Sequence, residues 1–192
     1  MAVPSRICPH CRQRDSISVL PDRSHSFRSN RSPALSSPAT IQPAFVRCFR
    51  QVQTGRCGAG KYLLAERSCD NGNLPIYAGL LRQVFSNLLL NATDAMPEGG
   101  RLHARASTAR EWSGRQRHGL RVTFADSGCG ISAENLHKIF KPFFTTKDHG
   151  GNGLGLSLVK DVVHKHGGTL RIRSSTTPGR SGSIFAIFLP EA

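Results

Sequence analysis

Asn87, Asn91 and Asp94 carry the amide and carboxylate oxygens that a hard divalent cation prefers, at spacings that bring them together on one helix. Projected at about 100° per residue, they fall within an arc of about 60°. That arc flanks an apolar stripe made by Leu81, Val84, Phe85, Leu88, Ala92 and Ala95. The spacing predicts a helix over 80–96 that packs with one face and offers polar groups at its edge, before Pro97, Gly99 and Gly100 stop it. A lone Asn on a helix is usually a solvated position; three polar groups in one arc beside an apolar stripe point to Mg²⁺, with Asn91 as ligand and Asn87 and Asp94 within reach of the ion or its waters.

Further along, Gly151-Asn152-Gly153-Leu154-Gly155-Leu156 lies where a loop enters a predicted helix over 154–166. Bare backbone amides and the positive helix end there can face anionic phosphates. A glycine run alone is weak evidence, because flexible loops share it. Asp126 ends a predicted strand and is followed by Ser127, Gly128, Cys129 and Gly130. A carboxylate at that place can accept a hydrogen bond from the exocyclic amine of adenine, although Asp-Ser-Gly is also a common turn. Phosphate donors, a magnesium ligand and a base acceptor together make a site for Mg-ATP.

These groups need a scaffold. Tyr62 to Ala65 and Leu74 to Tyr77, separated by Asp70-Asn71-Gly72-Asn73, predict an opening strand or hairpin. Leu102, Ala104 and Ala106, then Leu120, Val122 and Phe124, alternate with polar residues as strands do, joined by the polar stretch 108–118. A short helix ending near Phe140, a glycine-rich loop and the helix over 154–166 follow. Strands over 170–174 and 183–189, split by Thr177-Pro178-Gly179, close the domain.

In this order the motifs resemble those of sensor histidine kinases. Leu81 to Ala92 looks like their asparagine box, Asp126 to Gly130 their first glycine box, Phe140 to Lys147 their phenylalanine box, and Gly151 to Leu156 their second glycine box. The set, closest to the nitrogen-regulation type, spans residues 60–190 in family order. The resemblance implies the Bergerat ATP-binding fold, an α+β two-layer sandwich in which a mixed β-sheet is covered on one face by helices. It implies ATP and Mg²⁺ as cofactors, with Asn91 on the metal, Asn87 near the phosphates and Asp126 on adenine. Gly128 and Gly130 would line the base and ribose; Gly151, Gly153, Leu154 and Gly155 would hold phosphates; Ser183 would keep a hydroxyl near adenine where the family usually has Thr. Residues 131–152 would form a mobile lid whose Lys147 reaches the terminal phosphate.

ATP-hydrolysing members of this superfamily place a glutamate four residues before the magnesium asparagine, as general base. Asn87 stands there instead and cannot take a proton. The site therefore suits transfer to another nucleophile, with positioning and charge neutralisation carrying catalysis. No histidine with the family's helical, acid-flanked context precedes the domain; His10 and His25 lack it. The expected partners are a histidine-bearing dimerisation domain in trans and, indirectly, a response regulator. An ATP-responsive interaction module without transfer activity is the alternative, and a nucleic-acid-linked ATPase a third reading.

The chain has 192 residues and a net charge of +14. That charge favours polyanions in general, but no basic run is interleaved with aromatics, so no specific nucleic-acid partner is expected. Residues 1–60 are rich in Arg, Ser and Pro with only Asp15 and Asp22 as acids, which predicts a disordered or irregular leader, read as an out-of-frame extension, ahead of the ATPase domain over 61–192. The six cysteines follow no signal-peptide core, so reduced thiols in a cytoplasmic protein are expected. Cys8-Pro-His-Cys11 is only half a zinc knuckle. Gly55 to Lys61 approaches a phosphate loop, but Tyr62 replaces the required Ser or Thr. No apolar run of the roughly 20 residues needed to span a bilayer occurs.

Overall fold

Period-two alternation of apolar and polar residues builds the strands of one sheet, and period-3.6 stripes build the helices that cover it. The computed structural model describes residues 78–112, 117–147 and 151–191, together with the backbone of two further strands. The strands are β1 (Ser16–Val19), β2 (Lys61–Arg67), β3 (Gly100–Arg110), β4 (His118–Asp126), β5 (Thr169–Ser175) and β6 (Gly182–Pro190). The helices are α1 (Ala78–Asp94), the single turn α2 (Ala133–Leu136) and α3 (Gly155–Lys165). Across the sheet the order is β1-β5-β6-β4-β3-β2. All pairs are antiparallel except β2 with β3, which makes the sheet mixed.

Register stacks the apolar residues in rows. Ala106, Val122, Ile187 and Leu170 are aligned neighbours on successive strands, as are Ala104, Phe124, Phe185 and Ile172. All eight are buried with Leu81, Val84, Phe85, Leu88 and Leu89 of α1 and Val159, Val162 and Val163 of α3 in one core. The rings of Phe85 and Phe124 meet at 5.7 Å. Leu89 and Met96 join this core although the projected stripe omitted them, while Leu90 stays exposed. Residues of opposite parity point to the other sheet face, which no helix among the described residues covers. Beyond the β3–β4 ladder, Arg117 donates Nε–H to the buried Glu111 carboxylate at 2.7 Å, and this bond holds the Arg117 guanidinium above its ordinary pKa.

The boundaries depart from expectation at the N-terminal side. Ser16–Val19, within the leader, forms an edge strand on β5, and Tyr62 to Ala65 belongs to a strand lying parallel to β3. The rest of the leader, Cys8 and Cys11, and Leu74 to Tyr77 lie outside the described residues. Lys61 opens a strand where a phosphate loop would need a helix, which disposes of the Gly55 to Lys61 resemblance. No helix among the described residues is long and apolar enough to cross a membrane.

Removing the Phe85 ring would empty the middle of this core. Phe85→Ala is expected to lower unfolding free energy by about 3–5 kcal/mol, read as a fall in the urea midpoint; a loss under about 1 kcal/mol would mean that α1 does not anchor the sheet.

Candidate functional site

The stripe of α1 is fixed against the sheet, so its polar edge is fixed too, and the segments that meet that edge come from far along the chain. Asn87 donates Nδ2–H to the carbonyl of Gly155 at 3.2 Å, tying the middle of α1 to the start of α3. One turn on, Lys147 Nζ donates to Asn91 Oδ1 at 3.3 Å and to Asp94 Oδ2 at 2.5 Å. Both partners of this ion pair are more than one-third exposed, so solvent screens it to about 1 kcal/mol at most. Its chemical content is greater than its energy. An ammonium group sits on the oxygens predicted to hold Mg²⁺, so the donor set faces one point and accommodates a cation there. Among the described residues no group of three His, Cys, Asp or Glu side chains offers a competing metal site.

The glycine loop owes its path to backbone conformation. Gly153 has φ +63°, and a Cβ there would run into the backbone of Phe143, which itself has φ +65°. A Cβ on Gly151 would meet Thr145 Oγ1 at 2.5 Å, and that hydroxyl accepts the Lys147 amide hydrogen at 3.1 Å. The loop bearing Lys147 is thus folded onto the glycine run. Leu154 occupies the N-cap of α3 without a side-chain cap bond, leaving the first amides of the helix and the positive end of its dipole open to an anionic ligand. Gly155 has ordinary room for a Cβ, nearest Asn87 at 3.7 Å.

Asp126 is set at the end of β4. Its Oδ1 accepts the amide hydrogens of Gly128 at 2.9 Å and Ser183 at 3.2 Å, and among the described residues Oδ2 takes none. Burial pushes its carboxyl pKa up, outweighing the amides of Gly128, Ser183 and Asp126 itself that favour the ionised form. Ser174, beside it, was not singled out by sequence. Its hydroxyl receives the Ile131 amide hydrogen at 2.8 Å and lies 2.9 Å from the Gly182 carbonyl and 3.0 Å from Ser183 Oγ. With one proton, given to the carbonyl, Ser174 must accept from Ser183, so the buried Ser183 hydroxyl keeps its lone pairs for another donor. A signal existed: Ser174 is the polar member of the Leu170, Ile172 alternation that lines the core.

Gly128 and Gly130 are packed against protein. A Cβ on Gly128 would strike Ala95 at 2.6 Å, and one on Gly130, at φ +77°, would strike the Ser175 carbonyl. The Cys129 amide donates to the Ala95 carbonyl, and the Ala95 amide to that of Asn91, both at 3.0 Å. Two backbone bonds therefore connect the Asp126 turn to the turn of α1 that bears Asn91. The structure brings Asn87 to Gly155, Lys147 to Asn91 and Asp94, and Asp126 to Gly128 and Ser183, and lays Gly151 and Gly153 against the Lys147 loop.

Residues 77–192 match the family model described as histidine kinase-, DNA gyrase B- and HSP90-like ATPase. The sensor histidine kinase ZraS of Escherichia coli (strain K12) is 42% identical over 110 residues, 57% of this chain and 21% of that protein. The sensor kinase CckA of Brucella abortus (strain 2308) is 40% identical over 121 residues, 58% of this chain and 12% of that protein. The chain thus spans a minor part of these curated relatives. Among solved structures, the mycobacterial sensor histidine kinase MprB superposes with a TM-score of 0.64 at 28% identity, covering 79% of this chain and 95% of that one.

A raised carboxyl pKa binds protons more readily folded than unfolded, so Asp126 loses stability as pH rises from the ordinary value of 3.8 to its folded pKa. Asp126→Asn keeps an acceptor oxygen without a charge. The variant's advantage in urea midpoint over the parent is expected to grow with pH across that window and then level; a difference independent of pH would refute the buried charge.

Proposed function

The chain belongs to the histidine kinase-, DNA gyrase B- and HSP90-like ATPase family, and within it we propose that this domain binds Mg-ATP and transfers the γ-phosphoryl group to a histidine side chain presented by another module. The observation that carries the proposal is the seat of Lys147 on Asn91 and Asp94, a cation already held by the polar edge of α1 beside an uncapped glycine-rich helix start.

Asn91 Oδ1 would hold Mg²⁺, with Asp94 on the ion or its waters; bound there, the ion would neutralise phosphate charge. The amides following Gly153 and Leu154 would take the phosphate oxygens, and Asn87, held by Gly155, would stand beside them. Asp126 Oδ2 would accept from the adenine amine, with the Ser183 lone pairs directed to the same end of the base. Gly128 and Gly130 support this end by letting the turn close on Ala95 and Ser175. Lys147 would exchange Asp94 for the terminal phosphate when the loop carrying it follows the nucleotide.

Asn87 has no basic nitrogen or carboxylate with which to activate water. The nucleophile is then the imidazole nitrogen of a partner: the N–P bond forms as the bond from γ-phosphorus to the bridging oxygen breaks, and ADP leaves. The named relatives are sensor kinases, which supports a histidine-bearing dimerisation domain as immediate partner and a response regulator as eventual acceptor.

Incubation with γ-labelled ATP and an isolated histidine-bearing helical dimer from a related sensor kinase is expected to label that dimer. Tight ATP binding without label would favour the ATP-responsive module, and rapid release of free phosphate would favour an ATPase. Asn91→Ala and Asp126→Ala are each expected to weaken ATP binding by about tenfold or more in calorimetry, with circular dichroism unchanged; unaltered affinity in both would refute the assignment.

A further inference from the structure

The sheet face turned away from the helices is rich in arginine. On it, register aligns Arg105, Thr123, Ala186 and Arg171 in one row, and Ser107, Arg121, Phe188 and Thr169 in the next. Arg101 stands on the same strand and face as Arg105. β3, β5 and β6 contain no acidic residue, the single acid of β4, Asp126, has the parity of the helix-covered face, and at the β2 edge Glu66 is the register partner of Arg105. Just past β3, the Glu111 carboxylate is already bonded to Arg117.

Trp112 organises the cationic end. The guanidinium carbons of Arg121 and Arg171 lie 5.0 and 4.8 Å from its ring centroid, and Phe188 meets the same ring edge-on at 6.0 Å. Arg121 donates Nη2–H to the Arg110 carbonyl at 3.0 Å, and Arg171 to the Trp112 carbonyl at 3.1 Å. Neither Nε, both buried, has a hydrogen-bond partner among the described residues. Burial lowers both pKa values, and for Arg171 repulsion by Arg173 and Arg121 adds to it. Main-chain carbonyls and an aromatic ring thus fix these charges in place without neutralising them. Holding like charges together in this way costs stability unless an anion arrives from outside.

We propose that this face docks an acidic α-helix of a partner protein, seated over Thr123, Ala125 and Ala186 between Arg171 on one side and Arg101 and Arg105 on the other. Three interstrand spacings separate the backbones of Arg171 and Arg105, about 14 Å, which admits a helix about 10–12 Å across. On the floor Ile184, the register partner of Ala125, stands among small side chains, and planar guanidiniums on the walls match carboxylates in two-point fashion. The Trp112 cluster closes one end. Single-stranded nucleic acid fits less well, because stacking needs a free aromatic face, whereas the Trp112 ring is engaged and Phe188 is buried. A membrane surface fits less well because, among the described residues, the exposed large apolar ones, Leu90, Phe143 and Leu154, lie on α1 and around the glycine loop and not on this face. Residues 1–60, with Asp15 and Asp22 as their only acids, lack the charge to fill it.

Fluorescence anisotropy of the full chain with a labelled helical Glu/Ala peptide of about 20 residues tests this. Arg105→Gln and Arg171→Gln are each expected to weaken peptide binding by about fivefold or more, while Lys138→Gln on the helical side changes it by less than about twofold. Arg105 is exposed and leaves the Trp112 cluster intact, so its variant reads docking even if Arg171→Gln perturbs the fold. Mg-ATP affinity should be the same in Arg105→Gln and the parent, which separates this surface from the nucleotide site. Equal weakening by Lys138→Gln, tighter binding of a thymidine oligonucleotide of matched charge, or binding only to phosphatidylserine vesicles would each overturn the proposal.

Discussion

Burial of the α1 stripe is the constraint on which the site depends. Leu81, Val84, Phe85, Leu88 and Leu89 can leave water together only with one rotation of the helix about its axis, and that rotation aims Asn87, Asn91 and Asp94 along one edge. The bond from Asn87 to Gly155 then sets α3 against α1, and the start of α3 becomes one wall of the region into which the edge points. A rotation of α1 by a single residue position, about 100°, would bury the amides and expose leucines, so packing energy and site geometry are the same fact seen from two sides.

Around that edge the backbone is bent into conformations that side chains resist. Phe143 is the single non-glycine residue with positive φ among those described, Gly153 abuts it with positive φ, and Gly130 does the same against Ser175. Such conformations persist where neighbouring structure enforces them, and here they border the segment that brings Lys147 to α1. Asp126 adds an electrostatic cost, since a largely buried carboxylate is held by backbone amides that do not fully replace water. Strain and desolvation gathered in one region are what a prearranged ligand site requires, and the large apolar core supplies the stability that offsets them.

The two sheet faces divide the chemistry. One is sealed by α1 and α3 and ends at the polar edge of α1; the other carries arginines from β3, β4 and β5, of which Arg121 and Arg171 gather on Trp112. Period-two alternation makes this division possible, because each strand can serve both faces without compromise. Part of the chain's excess positive charge is thereby given a place on the fold.

Type and spacing alone were enough for the helix over 80–96, the two alternating strand pairs and the ordered motifs that mark the family, because apolar periodicity and turn residues are local and survive reading along one dimension. The α1 arc was legible for the same reason: its members lie within eight residues. Sequence marked Ser174 as a polar member of a core-facing alternation without placing it beside Asp126, and it could not show the parallel seat of β2, the edge strand within the leader, or the gathering of Arg121 and Arg171 on Trp112. The last joins residues 50 and 59 positions apart, and its charges form no run in the chain. Strand order and register made those neighbours, and both are settled by which nonlocal pairing buries the most apolar surface, a competition that no short window of residues contains.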